Sequence, residues 1–124
     1  MRGLGATPDQ AFEQAGIALT AVITDPARVS PREMVALSCA APNLELLLAD
    51  WLNGLIFEMA TRHMLFGKFD VSIRENRLEG KAWGEPLDAA RHRPAVEIKG
   101  ATYTELKVAQ REDGSWLAQC VVDV

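Results

Sequence analysis

The run from Asn43 to about Arg62 constrains this chain more than any other stretch. Leu44, Leu47, Leu48, Trp51, Leu52, Leu55, Ile56 and Met59 recur at three- and four-residue steps, the period of one helix face. Leu46, Ala49, Phe57 and Ala60 add apolar groups on the flanks, so the predicted helix is covered on most sides. Pro42 stops whatever precedes it, and Asn43 is placed to cap the first turn. Asp50, Asn53 and Glu58 interrupt the apolar run, which excludes a membrane span. Each large side chain buried here contributes about 1.5–3 kcal/mol before entropy, so this helix dominates the core. It carries no chemistry of its own.

With 124 residues the chain has room for one domain, over residues 1–124, whose core needs no disulfide or metal staple. A net charge of −4 argues against non-specific binding to nucleic acid, which calls for a basic surface, and leaves only a local basic patch open. No charged-then-apolar leader opens the sequence, so a cytoplasmic protein is expected. Cys39 and Cys120 lie in apolar, strand-like surroundings, where buried free thiols are expected.

Met1 to Ala6 reads as the tail of a strand or a frayed start. Thr7-Pro8-Asp9-Gln10 opens a helix, with Thr7 as cap and Gln10 reaching back, that continues to about Ile23. Gly16 inside it predicts close packing on a neighbour. Thr24-Asp25-Pro26 ends the helix, and Asp25 reads as a turn former. Arg32 to Ala40 reads as an interior strand, because both faces are largely apolar. Phe69, Val71 and Ile73 alternate with polar residues as a half-buried strand, and Glu75-Asn76 turns into a weaker strand from Arg77 to Trp83. Gly84 to Pro94 reads as a loop carrying Arg91, His92 and Arg93, a short basic run better explained by solvation than by phosphate contact. Ala95 to Ile98 restarts a strand, which Thr102 to Gln110 continues past a bulge at Gly100. Glu112-Asp113-Gly114 makes a hairpin whose returning strand runs from Trp116 to Val122. The order predicts an α+β fold, two helices packed on a mainly antiparallel or mixed sheet.

No phosphate loop, nucleophile elbow or Cys/His cluster with zinc spacing is present. Two oddities remain. Asp123 follows the apolar run Cys120-Val121-Val122, one residue before the Val124 carboxylate, and together they offer oxygens to a hard cation; a solvated terminus is the simpler reading. Lys99 stands between Ile98 and Gly100 in a strand system, where it either snorkels to the surface or brings charge to a site.

Glu97-Ile98-Lys99-Gly100-Ala101-Thr102-Tyr103, the hairpin through Trp116 and the ending Val122-Asp123-Val124 together resemble the archease family. The likeness extends through Trp83-Gly84-Glu85, His92, Leu47-Leu48, Trp51-Leu52, Phe12 and Thr24-Asp25-Pro26, and so covers nearly the whole chain. It implies a cytosolic protein that is no enzyme itself but activates an RtcB-type RNA ligase. That ligase uses a guanylylated histidine and manganese to join RNA ends bearing 3′-phosphate or 2′,3′-cyclic phosphate, as in tRNA splicing and RNA repair. Carried over, Asp123 and Val124 become partial ligands of a divalent cation (calcium, magnesium or manganese), and Lys99, Asp25 and His92 become ligase-activating positions. Thr104 replaces the histidine of many family members, and Gly100 replaces an alanine. The family's opening strand, with an Asp-His-Thr-Ala-Asp motif whose second aspartate binds metal, would lie ahead of Met1, which leaves the implied metal site incomplete and a sheet edge open. The alternative function is a chaperone-like module that binds proteins without metal chemistry. A metal-dependent hydrolase lacks a general base or nucleophile to accompany the carboxylates.

Overall fold

The computed structural model describes residues 1–124. In order, the chain forms β1 (Arg2–Gly5), α1 (Pro8–Ile23), a 3-10 turn (Pro26–Arg28), β2 (Glu33–Ala40), α2 (Leu44–Arg62), β3 (Met64–Arg74), β4 (Arg77–Pro86), α3 (Ala89–His92), β5 (Gly100–Ala101), β6 (Lys107–Gln110), β7 (Trp116–Gln119) and β8 (Val122–Asp123). All strand pairs are antiparallel, which gives the α+β class expected. No helix is long and apolar enough to cross a membrane.

Local chemistry sets both long helices. Thr7 Oγ1 accepts the Gln10 N–H at 3.2 Å and Gln10 Oε1 accepts the Ala6 N–H at 3.0 Å, a reciprocal cap displaced by one residue from the usual box. At α2, Asn43 Oδ1 accepts the Leu46 N–H at 2.9 Å. Asn43→Ala is expected to lower stability by about 1 kcal/mol in urea denaturation, since it leaves an orphan donor at the helix start. A change below a few tenths would mean that water replaces the cap without loss.

Leu47, Leu48, Trp51, Leu52 and Leu55 are fully buried, so α2 is the centre of the core. Its apolar arc is narrower than the sequence predicts: Phe57 is 62% exposed and Ala60 also faces solvent. Trp51 ties the layers together. Its indole N–H donates to Phe12 O at 3.1 Å, its ring meets Phe69 edge-on at 6.1 Å, and Gly80 leaves it room where a Cβ would stand 2.4 Å away. Gly16 packs as expected, with a Cβ there only 3.0 Å from the Phe69 ring.

Three small sheets surround this core, in the orders β2-β4-β3, β1-β7-β6 and β5-β8. Glu75 and Asn76 both adopt positive φ, 51° and 60°, and close the β3–β4 hairpin in the twist that two-residue turns favour. β4 corrects the sequence reading: it is the central strand of its sheet, and it runs on to Pro86. β2 is corrected too, because it is an outer strand, bonded only to β4. Apolar composition on two faces reports what lies above and below a strand, and is silent on what lies beside it.

Near the chain end the ladders change partners. Cys120 N–H donates to Met1 O at 3.1 Å, whereas Val121 N–H turns to Thr104 O at 3.4 Å, so the expected Trp116–Val122 strand splits into β7 and β8. Residues 95–98 join no ladder, and a turn at 103–105 separates β5 from β6, in place of the predicted bulged strand. Helix side chains close several sheet edges. Glu13 and Asp9 of α1 accept the Val71 and Ile73 N–H groups at 2.8 and 3.1 Å; Glu45 and Asn53 of α2 accept those of Val108 and Ala101 at 2.9 Å each.

Candidate functional site

The short β5–β8 pair brings together residues from distant parts of the sequence. Gly100 stands opposite Asp123 and Ala101 opposite Val122, and the Lys99 N–H donates to Asp123 O at 2.7 Å. Thr102 fastens the same seam, its N–H and hydroxyl both donating to Val121 O at 3.0 and 2.8 Å. Asn53 supports it from α2 through Ala101. A Cβ at Gly100 would lie 3.6 Å from Asn53 Oδ1, so alanine fits here equally well and glycine is no structural requirement. Lys99, Asp123 and Val124 are therefore backbone neighbours, and all three residues are exposed.

The electrostatics are those of an open edge. Lys99 joins none of the chain's three ion pairs, which are Arg62–Glu58, Arg91–Glu85 and His92–Glu85. No three His, Cys, Asp or Glu side chains gather to hold a metal. Asp123 and the Val124 carboxylate fall short of the six or more oxygens a calcium ion takes, so the residues present do not by themselves fit a hard cation.

The other two predicted positions lie elsewhere. Asp25 caps the 3-10 turn, its Oδ1 accepting the Ala27 N–H at 3.0 Å, as a turn former should. His92 is fully buried rather than part of a solvated basic loop. The segment read as that loop instead completes β4 and forms α3, capped by Asp88 through the Ala90 and Arg91 N–H groups. His92 Nδ1 accepts the Asp88 N–H at 2.9 Å, which leaves the proton on Nε2 to donate to Glu85 Oε2 at 2.9 Å. Glu85, also fully buried, accepts the Ser30 N–H at 2.8 Å and pairs with Arg91. The Arg91 guanidinium, the Ser30 N–H and His92 hold its carboxyl well below the usual range, at about 2. Thr24 Oγ1 donates to His92 O, so this cluster ties the end of α1, the start of β2, β4 and α3 to one buried charge. Sequence reasoning missed Glu85 as its centre. The available signal was a carboxylate just before Pro86 in a strand, followed closely by Arg91 and His92.

An open groove of about 500 Å³ lies between the C-terminal half of α2, the start of β3 and residues 94–98. Ile56, Met59, Met64, Leu65, Val96 and Ile98 give it an apolar lining, with His63 and Glu97 as polar members.

The chain matches the family model of the archease protein family over residues 1–124. It is 36% identical to protein archease of Sulfurisphaera tokodaii over 126 residues, with 100% of this chain and 90% of that protein covered. With protein archease of Methanopyrus kandleri it shares 38% identity, covering 95% of this chain and 86% of the relative. The solution structure of Methanobacterium thermoautotrophicum protein 1598 superimposes with a TM-score of 0.84 at 30% identity, covering 99% of this chain and 89% of that one. An α+β domain of this topology with a match along its whole length belongs to the archease family.

Proposed function

We propose that this protein is a cytoplasmic accessory factor that activates an RtcB-type RNA ligase, promoting guanylylation of the ligase and its repeated turnover on RNA ends bearing 3′-phosphate or cyclic phosphate. The observation that carries this reading is the exposed Lys99 held beside Asp123 and the chain end by the β5–β8 pair, in a chain that matches the family over its full length. An exposed ammonium suits contact with phosphate oxygens or carboxylates of a partner's active site. A divalent cation (calcium, magnesium or manganese) enters the reading as a ligand that Asp123 and Val124 hold in part, with donors from outside this chain completing it.

Lys99→Ala is expected to leave the fold intact, within about 0.5 kcal/mol, because the side chain is exposed and unpaired in the isolated chain. The same change is expected to slow ligase guanylylation about tenfold or more, the loss of ~1.4 kcal/mol at the transition state. An unchanged guanylylation rate removes Lys99 from the contact. The wild-type protein itself is tested by RNA ligation under single- and multiple-turnover conditions; no gain in either regime overturns the ligase reading.

A second reading, a chaperone-like module that binds proteins, draws on the apolar groove beside residues 94–98. It predicts that the protein keeps a ligase or another client soluble without changing guanylylation. Light scattering of a heated ligase, run beside the guanylylation assay, separates the two readings.

A further inference from the structure

β2 is the one long strand whose free edge the chain leaves uncovered. In the β2–β4 ladder the Ala41 N–H donates to Asn76 O at 3.1 Å. Antiparallel pairing alternates from there, so Val35, Leu37 and Cys39 bond inward to β4 while the N–H and C=O groups of Met34, Ala36, Ser38 and Ala40 point outward. None of these outward groups has a partner among the backbone or side-chain hydrogen bonds of the chain. The contrast with other edges is direct. On β3 the equivalent outward N–H groups of Val71 and Ile73 are taken by Glu13 and Asp9, and on β6 that of Val108 is taken by Glu45. The β1 edge is only four residues long and begins with Arg2.

β2 also lacks the devices that keep edges apart. After Glu33 it has no charge, no proline and no bulge across Met34-Val35-Ala36-Leu37-Ser38-Cys39-Ala40. Met34 is 50% exposed, and Leu37 and Cys39 are only half-buried. Its composition is that of an interior strand, and its position is that of an outer one.

We propose that β2 is a self-association edge, at which a second copy of this chain pairs antiparallel about a two-fold axis through Leu37. In that register Met34 lies opposite the partner's Ala40 and Ala36 opposite the partner's Ser38, so every outward N–H and C=O gains a bond and two three-stranded sheets become one. The two copies of Leu37 meet at the axis and cover each other. The seam is uncharged from Met34 to Ala40: the Glu33 at each end falls opposite the partner's Ala41, and no like charges face each other across it. A second copy satisfies this edge because the outward row is self-complementary in charge and side-chain size when reversed. A seam of one strand is small, so the dimer is weak and concentration-dependent.

Sedimentation velocity from micromolar to millimolar protein tests this, together with amide hydrogen exchange at both ends of the range. A monomer–dimer equilibrium is expected, with the Met34, Ala36, Ser38 and Ala40 amides protected only in the dimer. Ala36→Lys and Ser38→Pro each alter an exposed edge position, and each is expected to weaken association about tenfold or more. Circular dichroism checks that each variant folds, and either variant alone suffices. A protein that stays monomeric throughout overturns the proposal. So does a dimer whose edge amides remain unprotected, or one that both folded variants form with wild-type affinity. If a monomer instead loses ligase binding on Ala36→Lys, the edge belongs to the ligase and self-association is rejected.

Discussion

Glu85→Ala is expected to destabilise the fold by about 3–5 kcal/mol, because it removes the charge that a buried cluster is built around. The substitution leaves the Ser30 N–H and the His92 Nε2–H without their acceptor and frees Arg91, all at once. Isothermal urea denaturation at neutral pH measures it, and a loss below ~1 kcal/mol would show that water or a shifted Arg91 replaces the carboxylate. The cluster also sets an acid limit. Its folded carboxyl lies at about 2 against an ordinary 4.5, so the stability it adds is fully present above about 4.5 and is lost as pH falls through about 2. In the Glu85→Gln variant that part of the acid sensitivity is expected to disappear, even though the variant is less stable at neutral pH. An acid-unfolding profile unchanged in shape between wild type and Glu85→Gln would assign the acid transition to other carboxylates.

The cluster marks a boundary between what sequence patterns reveal and what they conceal. The α1 cap, the α2 core face, the Glu75-Asn76 turn and the Asp113-Gly114 hairpin were legible because each is decided by residues a few positions apart. Pairing between distant segments was not. β2 looks interior by composition and is an outer strand, and the final strand changes partners at Cys120 and Val121 with no local mark of the switch. Arg91-His92-Arg93 reads as a solvated basic run, yet the middle residue is buried while Arg91 is half-exposed. Only the fold shows that a carboxylate waits beneath it. The resemblance to a family located Lys99, Asp123, Asp25 and His92, but the fold separates them: Lys99 and Asp123 share an exposed seam, and His92 acts through Glu85 inside the protein.

Extending the chain ahead of Met1 with an Asp-His-Thr-Ala-Asp segment is expected to tighten divalent-cation binding by roughly a hundredfold, given how steeply affinity follows the number of anionic oxygens in a site. The geometry for this is set by β1. Arg2 pairs with Gln119 and Gly3 with Ala118, and Met1 exchanges bonds with Cys120, its N donating at 2.8 Å and its O accepting at 3.1 Å. Residues added in the same register run beside Val121, Val122 and Asp123. They lie on the side of the chain away from β5, because Cys120 bonds to Met1 while Val121 bonds to Thr104. With two residues between the segment and Met1, its second aspartate is the third residue ahead of Met1 and stands opposite Asp123, and the Val124 carboxylate adds oxygens one residue further on. Two aspartates and a chain end still leave positions for water, which magnesium and calcium both accept. Titration calorimetry with calcium, magnesium and manganese on the 124-residue chain, the extended chain and the extended Asp123→Ala chain tests each step. Tight binding confined to the extended wild-type form is the expected result. Equal affinity in all three removes Asp123 from the site, and tight binding retained by the extended Asp123→Ala form places the cation on the added segment alone.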